Sequence, residues 1–170
     1  MPDNKNVETT PDGHHLIIGG RKWRASDPGI APKLRQELVD ELMNARRAVK
    51  AKETDARTRV NDAKTALGER GQPWWEEPEP ELLERRIAAT ILALLRKRVD
   101  RSICPSDVAR VVGGDAWRTH MDTVRRVAAQ LAGRGEIIAT QKGVPVAADA
   151  ARGPIRLIRP PAEPQEPAAL

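Results

Sequence analysis

The chain has 170 residues, with 29 Lys and Arg against 24 Asp and Glu, a net charge of +5. Its one cysteine, Cys104, excludes an intramolecular disulfide framework and a cysteine-rich zinc site. No apolar run approaches the roughly 18 residues a membrane span needs, and the first residues lack a basic stretch followed by an apolar one, so the expectation is a soluble, cytoplasmic protein with no signal peptide and no membrane partner.

Residues 1–12 are polar and are expected to be disordered. His15 to Ile18 reads as a strand, Gly19-Gly20 as a tight turn that takes positive φ, and Arg21 to Ser26 as the returning strand. So small a hairpin needs support, and Trp23 is expected to pack on something. His14 and His15 are neighbours on a strand and point to opposite faces, so they do not chelate one ion together; they read as exposed polar residues. No metal site and no cofactor are expected.

Leu34, Leu38, Leu42, Ala45 and Val49 recur at helical spacing over 33–50, as do Ala56, Val60, Ala63 and Leu67 over 55–68. The polar Lys52-Glu53-Thr54-Asp55 offers a new N-cap at Thr54 or Asp55 but contains no Gly or Pro. Two alternatives follow: an antiparallel helical hairpin, or one helix of about 36 residues whose narrow apolar stripe would call for a dimer. The hairpin is favoured, and a homodimer through these helices stays open.

Charge then divides the chain. Residues 73–84 hold Glu76, Glu77, Glu79, Glu81 and Glu84 with no base, among Pro73, Pro78 and Pro80, whereas 85–159 hold fifteen bases and six acids, a net +9. Leu83, Ile87, Ile91, Leu94 and Leu95 line a helix over 81–98. Pro105 suits the first position of a second helix capped by Cys104 or Ser106, and Gly113-Gly114 ends it. Asp115 is expected to cap a third helix running to about Ala132, with Trp117, Met121, Val124, Ala128 and Leu131 inward. The period then changes to that of strands at 136–141 and 154–159, joined by a basic loop.

The expected fold class is mainly α (α+β). Residues 1–12 are read as a disordered N-terminus and 13–75 as a β-hairpin plus helical hairpin. Residues 76–80 form an acidic Pro-rich linker, 81–159 a winged-helix-like domain with helix-turn-helix grammar, and 160–170 a Pro-rich disordered tail.

The stretches SICPSDVAR (102–110), Trp117-Arg118, EIIATQKG (136–143) and ARGPIRLIR (151–159) resemble a bacterial domain family of unknown function. That resemblance implies a winged-helix-like fold and no assigned activity. GGRKWRASDP (19–28), LRQELVDELMNARRAV (34–49) and DAKTALGERGQPWW (62–75) resemble a companion N-terminal segment of proteobacterial proteins, some labelled "biopolymer transporter Tol". With no membrane span and no signal peptide expected, the transporter label finds no support in these residues.

Two functions stay open. The first is a DNA-binding, regulatory winged helix: Arg118, Thr119, Arg126 and Gln130 on the third helix, with Arg125 on its flank, would face the major groove, and Lys142 and Arg152 in the wing would meet phosphates of double-stranded DNA. Asp122 shares that face and opposes phosphate. The second is a non-catalytic interaction module in which Trp74 and Trp75, in their acidic segment, anchor a protein partner. Catalysis is not expected. Cys104, His120 and Asp122 form the only local nucleophile, base and acid set, Cys104 and His120 read as structural, and no phosphate loop, GxSxG or HExxH is present.

Overall fold

In the computed structural model, which describes residues 6–162, Thr10-Pro11-Asp12-Gly13 closes an unanticipated first hairpin. Strand β1 (Val7–Thr9) pairs antiparallel with β2 (His15–Ile18), and β2 with β3 (Arg21–Arg24) through the two-residue turn at Gly19 and Gly20 (φ 57° and 76°). The turn between β1 and β2 is held by Asp12, whose Oδ1 accepts from the His14 amide at 3.0 Å, and by the Gly13 amide donating to the Thr10 carbonyl at 2.8 Å. Pro-Asp-Gly between two short strands is a turn with a mechanism. The expectation of disorder therefore fails for 7–12, while residues 1–5 lie outside the described residues, as does the Pro-rich tail from 163 onward.

The helical pair is a hairpin. Helices α1 (Pro32–Lys50) and α2 (Ala56–Ala66) are separated by a short turn in which Lys52 takes φ 59°. Leu34, Leu38, Leu42, Ala45 and Ala48 are the buried stripe of α1; Ala48 replaces the expected Val49, which is 37% exposed. Glu41 is 1% exposed and is reached by Arg59 of α2, Nε to Oε1 at 2.9 Å and Nη2 to Oε2 at 3.2 Å. The single long helix is thereby excluded. With it goes the apolar stripe on which dimerisation rested, because those leucines are buried within one chain.

Helix α3 (Pro80–Lys97) is apolar nearly all round: Ile87, Ala89, Ile91, Ala93, Leu94 and Leu95 are all buried. A helix with that pattern belongs at the centre of a core, and α3 touches α1, α2, α4 (Pro105–Gly113) and α5 (Met121–Gly133). One continuous core runs from Ile30 and Leu34 through α3 to Leu157. Helix α4 begins as the residues foretell. Pro105 is at its first turn and the Asp107 carboxylate accepts from the Cys104 amide at 3.2 Å. Gly114 (φ 52°) ends it.

Asp115 does not cap the third helix. Residues Gly114–His120 form a 3-10 helix with a kink at Ala116, and α5 begins only at Met121. Gly113 explains part of this: a Cβ there would meet the His120 ring at 2.4 Å, so the two glycines let the chain fold closely back on α4. Val124, Val127, Ala128 and Leu131 are buried on α5, while Trp117 and Met121 are half-buried beside them.

Strand β4 (Ile138–Gln141) is central in a small sheet between β5 (Val144–Pro145) and β6 (Arg156–Ile158). Both long strands are shorter than expected, and the loop contains a strand of its own, with Gln141 opposite Val144 and Lys142-Gly143 at the tip. Ile103, between α3 and α4, bridges to Leu157 by two 2.9 Å hydrogen bonds and extends the sheet past β6. The whole is an α+β fold.

Candidate nucleic-acid interface

The net positive charge of residues 85–159 does not all face solvent. The α3 cations reach across to acids of the N-terminal segment. Arg86 pairs with Asp27 at 2.9 Å, Arg96 with Asp62 at 2.6 Å, Lys97 with Asp40 at 3.2 Å, and Arg98 with Glu37 at 2.7 Å and with Asp107 of α4 at 2.8 Å. Arg98 thereby ties α1 to the start of α4. Burial works against its charge, but the two carboxylates together outweigh burial and hold it in the charged form, above the ordinary guanidinium range.

Of the expected groove-facing residues, Arg118 and Thr119 lie in the 3-10 helix and not on α5. The Thr119 hydroxyl donates to the Ala116 carbonyl at 2.8 Å. The Arg118 guanidinium sits 4.4 Å from the centre of the Trp117 ring and that of Arg110 4.5 Å, so one indole carries two cations. Both arginines are exposed. Gln130 is exposed on α5, and so is Asp122.

Arg126 is exposed but committed, its Nη1 donating to Glu84 of α3 at 2.7 Å. Reading a guanine would require breaking that pair. Arg125 is likewise occupied: Nη1 donates to the Ala151 carbonyl and Nη2 to the Gly153 carbonyl, each at 2.6 Å. It is a brace between α5 and the chain returning to β6. Gln141 completes this brace from β4, its Nε2 donating to the carbonyls of Arg152 (2.5 Å) and Pro154 (3.2 Å). The backbone under Arg152 is thus held from two elements while its side chain is exposed. Lys142 is exposed at the hairpin tip, at φ 51°.

Trp74 and Trp75 are turned inward on the N-terminal sheet. The Trp74 indole N–H donates to the Ala25 carbonyl at 2.9 Å. The His14 ring stacks on Trp75, 4.0 Å between centres and 6° between planes, and Arg24 lies 5.7 Å above the same indole. His14 and His15 are half-buried in this cluster, which corrects their reading as exposed polar residues. Trp23, expected to be packed, is 43% exposed, with Arg21 and Lys64 over its ring.

His120 is half-buried against Gly113, and Cys104 is half-buried at the start of α4, where its sulfur accepts from the Ser106 hydroxyl at 3.0 Å. Among the described residues no group of three or more His, Cys, Asp or Glu is arranged to hold a metal ion, and no helix is long and apolar enough to cross a membrane. What pattern reasoning missed is tertiary: the Arg125 brace and the Arg126–Glu84 pair join residues 26 to 42 positions apart. The Arg110–Trp117–Arg118 group was within reach, because Arg-x6-Trp-Arg across a glycine turn places both cations near one indole.

No curated protein matches the chain. Residues 84–160, from the first turns of α3 through β6, match the family described as a protein of unknown function (DUF3253), and it is to that domain family that this part of the chain is similar.

Proposed function

We propose that residues 80–160 form a winged-helix unit that binds the backbone of double-stranded DNA in a regulatory role. Helix α5 takes the recognition position and the β4–β6 hairpin is the wing. The order of elements and the Ile103–Leu157 bridge beside β6 support the winged-helix reading. One observation supports the DNA reading. Arg86, Arg96 and Lys97 of α3 and the adjoining Arg98 are neutralised by carboxylates, whereas Arg110, Arg118, Lys142 and Arg152 are exposed with no carboxylate in ion-pair range among the described residues. Arg110 at the end of α4 and Arg118 in the 3-10 helix share the Trp117 ring on one side of α5, and Lys142 and Arg152 stand in the wing. Phosphate contacts of this kind position a protein without specifying sequence. With Asp122 exposed and Arg126 tied to Glu84, base readout from α5 is a minor part of the reading.

Trp74 and Trp75 stay outside this surface, since both rings are spent on the N-terminal sheet. The resemblance of residues 19–75 to proteins labelled "biopolymer transporter Tol" adds no transport role. The protein is read as a non-enzyme that needs no cofactor.

The test is a titration of the full chain against labelled duplex DNA by fluorescence anisotropy at several salt concentrations. Affinity falls linearly with salt on logarithmic axes. Arg118→Ala, Lys142→Ala and Arg152→Ala each weaken all sequences alike and each lower the salt slope by about one. Arg126→Ala leaves affinity within about twofold, because its guanidinium is already paired. Absence of binding at low salt sinks the proposal.

A further inference from the structure

Where α2, the chain between Arg70 and Pro78, α3 and the end of α5 meet, a cleft of about 470 Å³ opens. It is distinct from the wing and from the 3-10 helix. Its floor is apolar: Leu82, Ala89 and Leu92 on one face of α3, and Leu131 of α5. Leu82 and Leu92 are large side chains left half-buried where the core could have closed over them. Sites for small organic ligands have this size, and here the apolar floor is rimmed by charged and polar side chains that would fix orientation.

The charge on the walls selects the ligand. Asp27 and Asp62 line the cleft but are each answered at short range by Arg86 and Arg96. Glu136 is paired with Arg134 at 3.0 Å. The remaining acid on the wall is Glu76, which is exposed. Against it stand two exposed guanidiniums, Arg70 and Arg85, neither with a carboxylate in ion-pair range among the described residues; Arg70 is held only by the neutral Asn61 at 3.0 Å. The balance is one surplus positive charge above an apolar floor.

We propose that this cleft binds a small amphiphilic carboxylate, its head group on Arg85 and Arg70 and its hydrocarbon body on Leu82, Ala89, Leu92 and Leu131. A guanidinium fork and a carboxylate match in geometry, and the pair strengthens where the site excludes water. The ligand would touch the chain after α2, α3 and α5 together and brace the N-terminal segment against the wing-bearing part. Ligand binding in this cleft does not depend on DNA binding.

Calorimetric titration of the full chain with octanoate, below its micelle-forming concentration, tests it, with octanol and octylammonium as same-length controls. Octanoate binds saturably at one site, octanol binds at least about tenfold more weakly, and octylammonium does not bind. Arg85→Glu and Arg70→Glu, both at exposed positions that leave the core intact, weaken octanoate by at least about tenfold, while Arg152→Glu in the wing leaves it unchanged. No heat with octanoate, equal binding of the alcohol or the amine, or undiminished binding in Arg85→Glu overturns the proposal.

Discussion

Arg86 reaches three parts of the molecule from one side chain: Asp27 before α1, the Ala66 carbonyl at the end of α2 (3.2 Å), and the Val111 carbonyl of α4 (3.5 Å). Arg86 and Asp27 are each only 15% exposed, so removing the cation strands a carboxylate and a helix-terminal carbonyl in a poorly hydrated place. Arg86→Met is expected to cost about 2–3 kcal/mol in urea unfolding, more than an exposed pair such as Arg134–Glu136 would. Asp62 behaves differently. Burial raises its carboxyl above the ordinary 3.8 despite the nearby Arg96. The folded state therefore holds this proton more tightly than the unfolded chain, and stability from this group grows as pH falls from above the raised value toward 3.8. Asp62→Asn should lose ground to the wild type on going from pH 7 to pH 4, measured as the difference in urea midpoints. A constant difference would contradict the direction. The partners of Arg86 and Arg96 are not legible in the sequence, because each lies 20 or more positions away and ion pairing has no periodicity. The acidic 73–84 block and the basic 85–159 segment were legible, but Arg86, Lys97 and Arg96 of α3 are answered by Asp27, Asp40 and Asp62, outside that acidic block, and this needed the fold.

Among the elements, the glycine pair at 113–114 and the glycine at 133 pose opposite problems. Gly113 has the His120 ring where a Cβ would go, whereas nothing lies within 4 Å of a Cβ at Gly133, the last residue of α5. Gly113→Ala is expected to destabilise by about 1–3 kcal/mol through overpacking. Gly133→Ala should stabilise by about 0.5–1 kcal/mol, because the unfolded chain loses freedom at a site with room. Thermal unfolding of the two variants checks both signs. The helices α1 to α4 were readable from apolar spacing and caps, down to Cys104 and Pro105. The 3-10 helix was not, because Asp115 followed by helix formers looks like a cap, and the override comes from close packing of His120 on Gly113. Strand β1 was readable in principle from Pro11-Asp12-Gly13, but three residues of strand carry too little alternation to announce themselves.

At the scale of the whole molecule, α3 makes the two halves one object. Its residues enter a single core with Leu34, Leu38 and Leu42 on one side and with Val108, Val124 and Leu157 on the other. Prolines and acids at 73–79 fall in the non-helical stretch between α2 and α3, but the buried residues of α3 join the cores of both halves. Urea unfolding followed by tryptophan fluorescence, which reports mainly residues 23, 74 and 75, should coincide with unfolding followed by far-ultraviolet dichroism. Two separated transitions would falsify a shared core.

The Trp74–Trp75 corner has an optical consequence. The two indoles lie 5.2 Å apart at 90° in a chain with no Phe or Tyr. Transition dipoles that close couple to a degree set by their mutual orientation, so the dichroism of this pair changes if either ring rotates. His14 stacked on Trp75 adds a second signal, since the indole emission depends on the ring held against it. The N-terminal sheet therefore carries a built-in chromophore that reports its own docking, without any label.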